Sequence, residues 1–582
     1  MSTTTRHPIL TQHFDSSDVA FAQIEKEIAT LQEGIRALLA FRNTFTPTYR
    51  LPPEILTRVF SFVRHVPKHN EREPNLQKLV QWITVTHVSQ HWRNVAVGSP
   101  SLWSFICNSY PKHITQEWLR RAKDASLSLY WHQTPLSDPE LVSRSLFRTC
   151  HLSLDLASIP WNSLLPHLTS PAPLLESLAI AISYGHPKPS AIPDNIFSGT
   201  TPHLRRLQLQ GCTIDIRCSS LFRDLTWLEI WDPVQKFDTT DVLEVLRKLP
   251  RLLFIILCGV LDNSAALVSP DFGIVALNSL GSLSIHGESF DKHLDILSHL
   301  SIPTSSTVFF HASCSHRQKG DVVTALFDFL SVHQSARQAS STVLVDSIDL
   351  RCFATSFVLE LNLNCTKPGY VDGLLRFSLS GGWDYPLMPD TPKVATLFSY
   401  LPLAALSSFQ TNFSLAMGTW SRIFGALPEL KRISVVGEGA DNVLSVIIND
   451  FKSKCPPGYA ADWERKRRKE KKGKVESGGH EIAQAALASS SHLFTWDPIF
   501  PKLEYLVLDK SDHFTRSVED LVAVLCARKE FDKGIKRIEV LGCPDVDDDI
   551  LNGLKDIVDV DWDGWTRSVL NMEPRKQLSP VD

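Results

Sequence analysis

The chain has 582 residues, too many for one ordinary core and enough for two or three domains or a domain followed by a repeat array. Apolar residues make up 43% and charged residues 21%, which predicts a globular rather than a disordered chain, and the net charge of −4 argues against a global polyanion-binding surface. Eleven cysteines are scattered singly with no Cys-x-x-Cys pair, a usage expected of reduced intracellular thiols rather than of a disulfide framework.

Residues 1–16 read as a loose, polar N-terminus, and Met1–His7 lacks the apolar stretch of a secretory signal. From 17 to 46 the apolar residues fall at Phe21, Ile24, Ile28, Leu31, Ile35 and Leu38. This is the alternating three-four step of a heptad seam, with Glu25, Lys26, Glu27 and Arg36 outside it. It lasts under three heptads. Two readings stand: a short coiled-coil dimer, or an amphipathic helix packed on the rest of the chain, which the short length favours. Pro47 ends the element.

Residues 47–106 carry a small helical module. It opens Leu51-Pro52-Pro53-Glu54-Ile55-Leu56, where the proline pair suits the first turn of a helix. Ile55, Leu56, Val59, Phe60 and Val63 then recur at helical spacing, as do Val85, Val88, Trp92 and Val95 further on. So many large apolar residues in so small a bundle predict a core completed against a partner.

These residues resemble an F-box, the helical module that docks on the Skp adaptor of a cullin ubiquitin ligase. The resemblance rests on Leu51-Pro52-Pro53-Glu54-Ile55-Leu56 and the Val59-Phe60 after it. It continues in Val88-Ser89-x-x-Trp92-Arg93-x-Val95-Ala96 and in Ser101-Leu102-Trp103. The polar loop Pro67–Pro74 between the two halves is longer than the compact family form. The whole chain is similar to the large fungal F-box family, in which a short helix precedes the box and irregular leucine-rich repeats follow it. The resemblance implies that Leu51, Pro52, Glu54, Ile55, Leu56, Val59, Phe60, Val88, Trp92, Leu102 and Trp103 carry or frame the adaptor-binding surface. Among these, Trp92 is the residue most expected in the core.

Beyond the module, Ile114–Ala122 reads as a helix and Leu127–Trp131 as a strand, and Leu141–Phe147 with Leu152–Leu156 repeats that order. A shared signature follows, first in Leu175-x-x-Leu178-x-Ile180. It recurs from Leu204, Leu225, Leu252 and Leu280, and later from Leu374, Leu430, Leu503 and Ile535. The early starts at 175, 204, 225, 252 and 280 are 29, 21, 27 and 28 residues apart, a leucine-rich-repeat period. The last two apolar residues of each copy lie two apart, so both point from a strand into one core, and neighbouring copies must stack to bury them. Cys212 and Cys543 sit three residues beyond the final apolar position of their copies, where the repeat pattern has an extra cysteine.

Val323, Leu326, Phe327 and Leu330, like Leu444, Ile447, Ile448 and Phe451, form helical stripes between copies, and Ser517-Val518-Glu519-Asp520 reads as a capping-box start. The period is poor over 286–370, where the array is irregular or interrupted.

The expected architecture is therefore α/β. An N-terminal helix and a small all-α F-box precede an irregular leucine-rich-repeat solenoid, with repeats over 107–452, a flexible basic insertion over 453–495, final repeats and a cap over 496–565, and a disordered tail over 566–582. Within the insertion, Arg465, Lys466, Arg467, Arg468, Lys469, Lys471, Lys472 and Lys474 form a candidate nuclear-import run, although a solvated charged loop has the same composition. No aromatic residues interleave with it, so nucleic-acid binding is not expected.

Asp559-x-Asp561-x-Asp563-Gly564 mimics half an EF-hand loop, but Leu570 stands where the bidentate glutamate belongs, and the alternation with Val558, Val560 and Trp562 suits a half-buried terminal strand. His311-x-x-Cys314-x-His316 lacks a fourth ligand and standard zinc spacing. No hydrolase, Walker, Rossmann or zincin motif occurs, so neither an enzyme nor a cofactor or metal is expected. The longest apolar run, Leu252–Leu261, is about half a membrane span, so no membrane contact is expected and the location expected is cytoplasmic or nuclear.

The function implied is a substrate-recruiting subunit: the F-box binds a Skp-type adaptor and through it a cullin, and the repeats bind an unknown target protein. The alternative is a non-ligase scaffold of leucine-rich repeats with a vestigial F-box. Candidate target-facing positions, on the outward side of the strands, include Arg205, Arg206, Gln208, Thr226, Trp227, Glu229, Lys431, Arg432, Glu504 and Tyr505, although an ordinary solvated sheet face has the same mixed chemistry.

Overall fold

The computed structural model describes residues 16–64, 80–107, 110–132, 140–155, 164–182, 191–288, 290–314, 343–365, 373–381, 395–425, 427–454 and 496–564, apart from a few positions inside these spans. The loop 67–74, the stripe from Val323 to Leu330, His316, the import run and the tail 566–582 lie outside the described residues. The chain divides into two units. One is Met1–Leu225 with Pro233–Gln235, and the other is Thr226–Asp232 with Lys236–Asp582.

The first unit begins with helix α1 (Ser17–Thr44), whose first turn is capped by Ser16 Oγ accepting from Val19 N–H at 3.4 Å. None of its residues is buried. Its seam residues Phe21, Ile28, Leu31, Ile35 and Leu38 are exposed and Ile24 is half-buried, so no seam residue enters a core. Helix α2 (Pro53–Val63) starts at the proline pair, as the fixed φ of proline allows. A 3-10 turn (Trp82–His87), helix α3 (Gln90–Gly98) and a second 3-10 turn (Pro100–Trp103) complete the module.

Strand β1 (Phe105–Cys107), helix α4 (Lys112–Ala122), β2 (Leu127–His132), helix α5 (Glu140–Ser145), β3 (Thr149–Asp155), β4 (Ser177–Ala181) and β5 (Arg206–Gln210) follow. The five strands pair in chain order and in parallel. Their register sets Leu129, Leu152, Leu178 and Leu207 in one line, and Trp131, Leu154, Ile180 and Leu209 in the next. All eight are buried, so the two apolar positions of each strand build continuous core rows.

The second unit runs through β6 (Trp227–Trp231), helix α6 (Thr239–Arg247), β7 (Phe254–Cys258), β8 (Val275–Ala276), β9 (Ser282–Gly287), helix α7 (Phe290–Ser298), β10 (Leu300–Ser301) and β11 (Thr307–Cys314). β12 (Val343–Phe353), β13 (Ser356–Cys365) and β14 (Gly373–Gly381) come next. β15 (Ser408–Thr411), β16 (Arg432–Val436), helix α8 (Glu438–Lys454), β17 (Tyr505–Asp509), helix α9 (Phe514–Glu530), β18 (Arg537–Leu541), helix α10 (Asp548–Lys555) and β19 (Asp559–Trp562) close it.

β6, β7, β9 and β11 are parallel neighbours, and so are β15 to β19. Between these runs, β12, β13 and β14 form an antiparallel meander that enters the sheet reversed: β14 lies against β11, and β12 lies against β15. That is why the period fails over 286–370. β8 and β10 pair with each other alone.

All nine signature copies lie on or just before strands, at β4, β5, β6, β7, β9, β14, β16, β17 and β18. A tenth, Leu406-x-x-Phe409-x-Thr411 on β15, is buried throughout. The capping-box reading of Ser517 is corrected: α9 starts three residues earlier, with Ser517 N–H already bonded to His513 O at 3.0 Å. Its entry is held by Asp441 of α8, which accepts from His513 N–H at 3.0 Å.

Candidate functional site

Helix α2 is apolar on two sides. Leu56 and Phe60, one turn apart, are fully buried and face the module's core. Ile55, Val59, Phe62 and Val63 form a second stripe at i, i+4, i+7 and i+8, and stand 47%, 43%, 78% and 50% exposed. Val88, 58% exposed, adds a further apolar side chain beyond the 3-10 turn. On the order of 400 Å² of apolar surface is thus left in water on one short helix, within the range at which such patches are usually functional.

The expected adaptor-facing residues separate into two groups. Pro52, Glu54, Ile55, Val59 and Val88 are exposed, and Leu51 is half-buried. Leu56, Phe60, Leu102 and Trp103 are buried in the module's core. Trp92 is half-buried, lying against Phe60 with ring centroids 5.1 Å apart, whereas Trp82 and Trp103 are the tryptophans fully inside. Phe62 and Val63 are the exposed members that the motif comparison did not single out. Their spacing from Ile55 and Val59 was the signal.

What holds this helix in place is a polar and aromatic frame. Trp103 Nε1 donates to Ala96 O at 2.8 Å, satisfying both a buried indole and the end of α3. Thr57 Oγ1 and Ser99 Oγ meet at 2.7 Å. Arg64 at the end of α2 donates to Ser101 O and Leu102 O at 3.0 and 3.2 Å, and burial lowers its pKa from the ordinary value. Trp82, Trp103 and Trp118 pack edge to face or tilted, 4.9 to 6.3 Å apart, and Tyr110 sits 4.1 Å from Trp118. The Arg121 guanidinium lies 4.2 Å over the Trp103 ring. α2 is therefore clamped from behind while its outer stripe stays partly exposed to water.

A second surface lies on the sheet face of the second unit away from the core. Trp227 stacks on Phe254 at 3.8 Å, Trp231 faces His286 at 6.5 Å, and His286 faces His311 at 6.1 Å. Glu229 accepts from the indole N–H groups of both Trp227 and Trp231. Burial lowers the pKa of both histidines, with His311 adding to the effect at His286. Further along, β16 to β19 carry a ladder of opposite charges, in which Arg537 pairs with Asp561, with Asp559 at 3.7 Å and with Glu539 at 3.6 Å. Of the target-facing positions named from sequence, Trp227 and Glu229 belong to the aromatic patch, Arg432 approaches Glu539 at 3.9 Å, and Gln208 in the first unit is buried.

A cleft in the second unit is lined by Ser421, Gly425, Asn449, Asp450, Lys454 and Pro498. Its charged groups are already engaged: Asp450 holds Lys454 at 2.7 Å and accepts from Ile499 N–H at 2.9 Å, and Lys454 donates to Asp497 O at 3.0 Å. Among the described residues, no group of three or more His, Cys, Asp or Glu could hold a metal ion. His311 and Cys314 lie on β11, and Asp559 and Asp561 project from β19. Among the described residues, no helix is long and apolar enough to cross a membrane. No protein-family model matches the chain, and no curated protein matches it either.

Proposed function

We propose that residues 51–106 act as an F-box that binds a Skp-type adaptor, and that the strand copies after it form a leucine-rich-repeat solenoid presenting a target protein to a cullin ubiquitin ligase. The observation that carries the reading is the outer stripe of α2. Ile55, Val59, Phe62 and Val63 sit on a helix held by a packed core, yet 43–78% of each stays exposed. They lie within and beside the Leu-Pro-Pro-Glu-Ile-Leu motif that gives the family resemblance. Target recognition falls to the sheet face, where Trp227, Trp231 and Phe254 offer the rigid aromatic area that usually anchors protein interfaces. The chain's part in ubiquitin transfer is then proximity, raising the effective concentration of target at a ligase assembled elsewhere.

The test is co-purification with the cognate Skp-type adaptor, for the wild-type chain and for an Ile55→Asp, Val59→Asp double variant. These side chains contribute little to the fold, so the variant should unfold like the wild type and lose the adaptor. If the folded wild-type chain does not pair, the ligase reading falls and the protein is better described as a repeat scaffold with a vestigial F-box.

A further inference from the structure

We infer that α1 is a dimerisation helix, and that a second copy of this chain covers its apolar face in a parallel, two-stranded coiled coil. The helix is 28 residues long, about 42 Å at the standard rise, and buries none of them. An isolated helix with that much exposed apolar surface has no stabilisation of its own from tertiary packing. Its heptad places Phe21, Ile28 and Ile35 at the first core position and Ile24, Leu31 and Leu38 at the second. The second and third heptads have isoleucine at the first and leucine at the second, the combination that favours two parallel strands, while the first has Phe21 and Ile24.

The flanking positions agree. In a parallel pair Glu27 of one copy meets Gln32 of the other, Glu25 meets Ala20, and Gly34 meets Leu39, so no two like charges face each other across the seam. The charged residues Lys26, Glu33 and Arg36 lie outside it, with Arg36 and Glu33 paired along the same helix at 3.4 Å. The seam residues leave roughly 500 Å² exposed on each helix, so pairing buries up to about 1,000 Å² in total, the lower bound for a specific interface. A second copy is the occupant whose seam matches in length, step and charge. The inference does not depend on the ligase reading, since α1 lies outside the adaptor-binding stripe.

Sedimentation equilibrium on the full chain over a concentration series is the direct test. The wild type should reach twice the 65.3 kDa of one chain. An Ile28→Lys, Ile35→Lys variant should stay at the mass of one chain with an unchanged unfolding midpoint, because neither residue is buried in the fold. Gly34 has open space around its Cα, so Gly34→Ala should tighten the dimer by roughly tenfold over two helices, through helix propensity alone. Under mild oxidation Ile35→Cys should cross-link to its counterpart above the wild-type baseline, because that position faces itself only in a parallel pair. A wild type that remains one chain at every concentration overturns the inference, even if it binds lipid vesicles through the same face. So does a dimer that survives the lysine variant. A dimer without the cross-link overturns the parallel arrangement.

Discussion

Replacing Arg528 by methionine removes a cation that α9 buries completely. Its guanidinium donates to three backbone carbonyls: Nε to Lys533 at 3.0 Å, Nη1 to Ile499 at 2.9 Å, and Nη2 to Phe500 at 2.7 Å. Ile499 and Phe500 belong to the segment that enters β17, so one side chain ties that segment to the C-terminal end of α9. Hydrogen bonds from a charged donor contribute about 1.5–3 kcal/mol each, roughly 6 kcal/mol for the three. Burial offsets part of this. It pushes the group well below its ordinary value, down to about 10, against a smaller opposing effect of Asp450, a displacement that corresponds to about 3 kcal/mol.

Methionine keeps the unbranched stem and its packing but abandons both the bonds and the buried charge. The net loss should be about 3 kcal/mol. Native-state hydrogen exchange reads it locally, with opening roughly 100-fold more frequent around residues 499–503 and 527–533. Arg528→Lys keeps the charge on a compact ammonium that cannot reach three divergent carbonyls, and should be at least as damaging. Unchanged exchange and an unchanged urea midpoint in the methionine variant would refute the clamp. A neutral lysine variant would refute the argument from fork geometry.

Within the helical module, Phe60→Ala and Trp103→Ala should each lower stability by about 3–5 kcal/mol, since both side chains are fully buried. Ile55→Ser or Val59→Ser should stay within about 0.5 kcal/mol in the same denaturation series. Burial pushes the Cys212 and Cys352 thiols up to about 12 and Cys543 up to about 11. Alkylation of the native chain should therefore reach the exposed Cys218 and spare these three until unfolding. Because the folded thiols keep protons that the unfolded thiols release, stability should fall as pH rises through the ordinary value near 9; a flat stability profile between there and about 11 would contradict the burial.

The strand copies were legible because they concentrate burial at three positions of fixed spacing that recur at a repeat period, whereas the same spacing on α8 at Val443, Val446 and Ile448 stands alone. Leu406-x-x-Phe409-x-Thr411 escaped because its last core position is a threonine, whose hydroxyl donates to Phe413 O at 3.5 Å and accepts from Phe413 N–H at 2.8 Å. The antiparallel meander escaped for a different reason. Alternating apolar residues specify that a strand has one buried face, not which way its neighbour runs, so Val345, Ile348 and Leu350 read the same in either arrangement. The role of the extra cysteine became visible only in three dimensions: Cys212 Sγ lies 3.6 Å from Ile180 O and 3.3 Å from Gln210 O, tying the end of β5 to the strand before it. Arg528 gave no signal at all, because a cation in the last turn of a helix is an ordinary surface feature.

The same distinction separates the two surfaces from which interactions are inferred. An amphipathic pattern states how much apolar surface a helix has and leaves open what covers it. On α2 the neighbouring elements answer for one stripe: Leu56 and Phe60 are used by the fold, and Ile55, Val59, Phe62 and Val63 are left over. On α1 they answer for none of it. A short two-sided helix braced by Trp103 and Arg64 presents a fixed, compact patch, which suits a rigid partner of another kind. A long helix with a straight apolar seam and no brace presents a line, and a line is matched most economically by another helix of the same step.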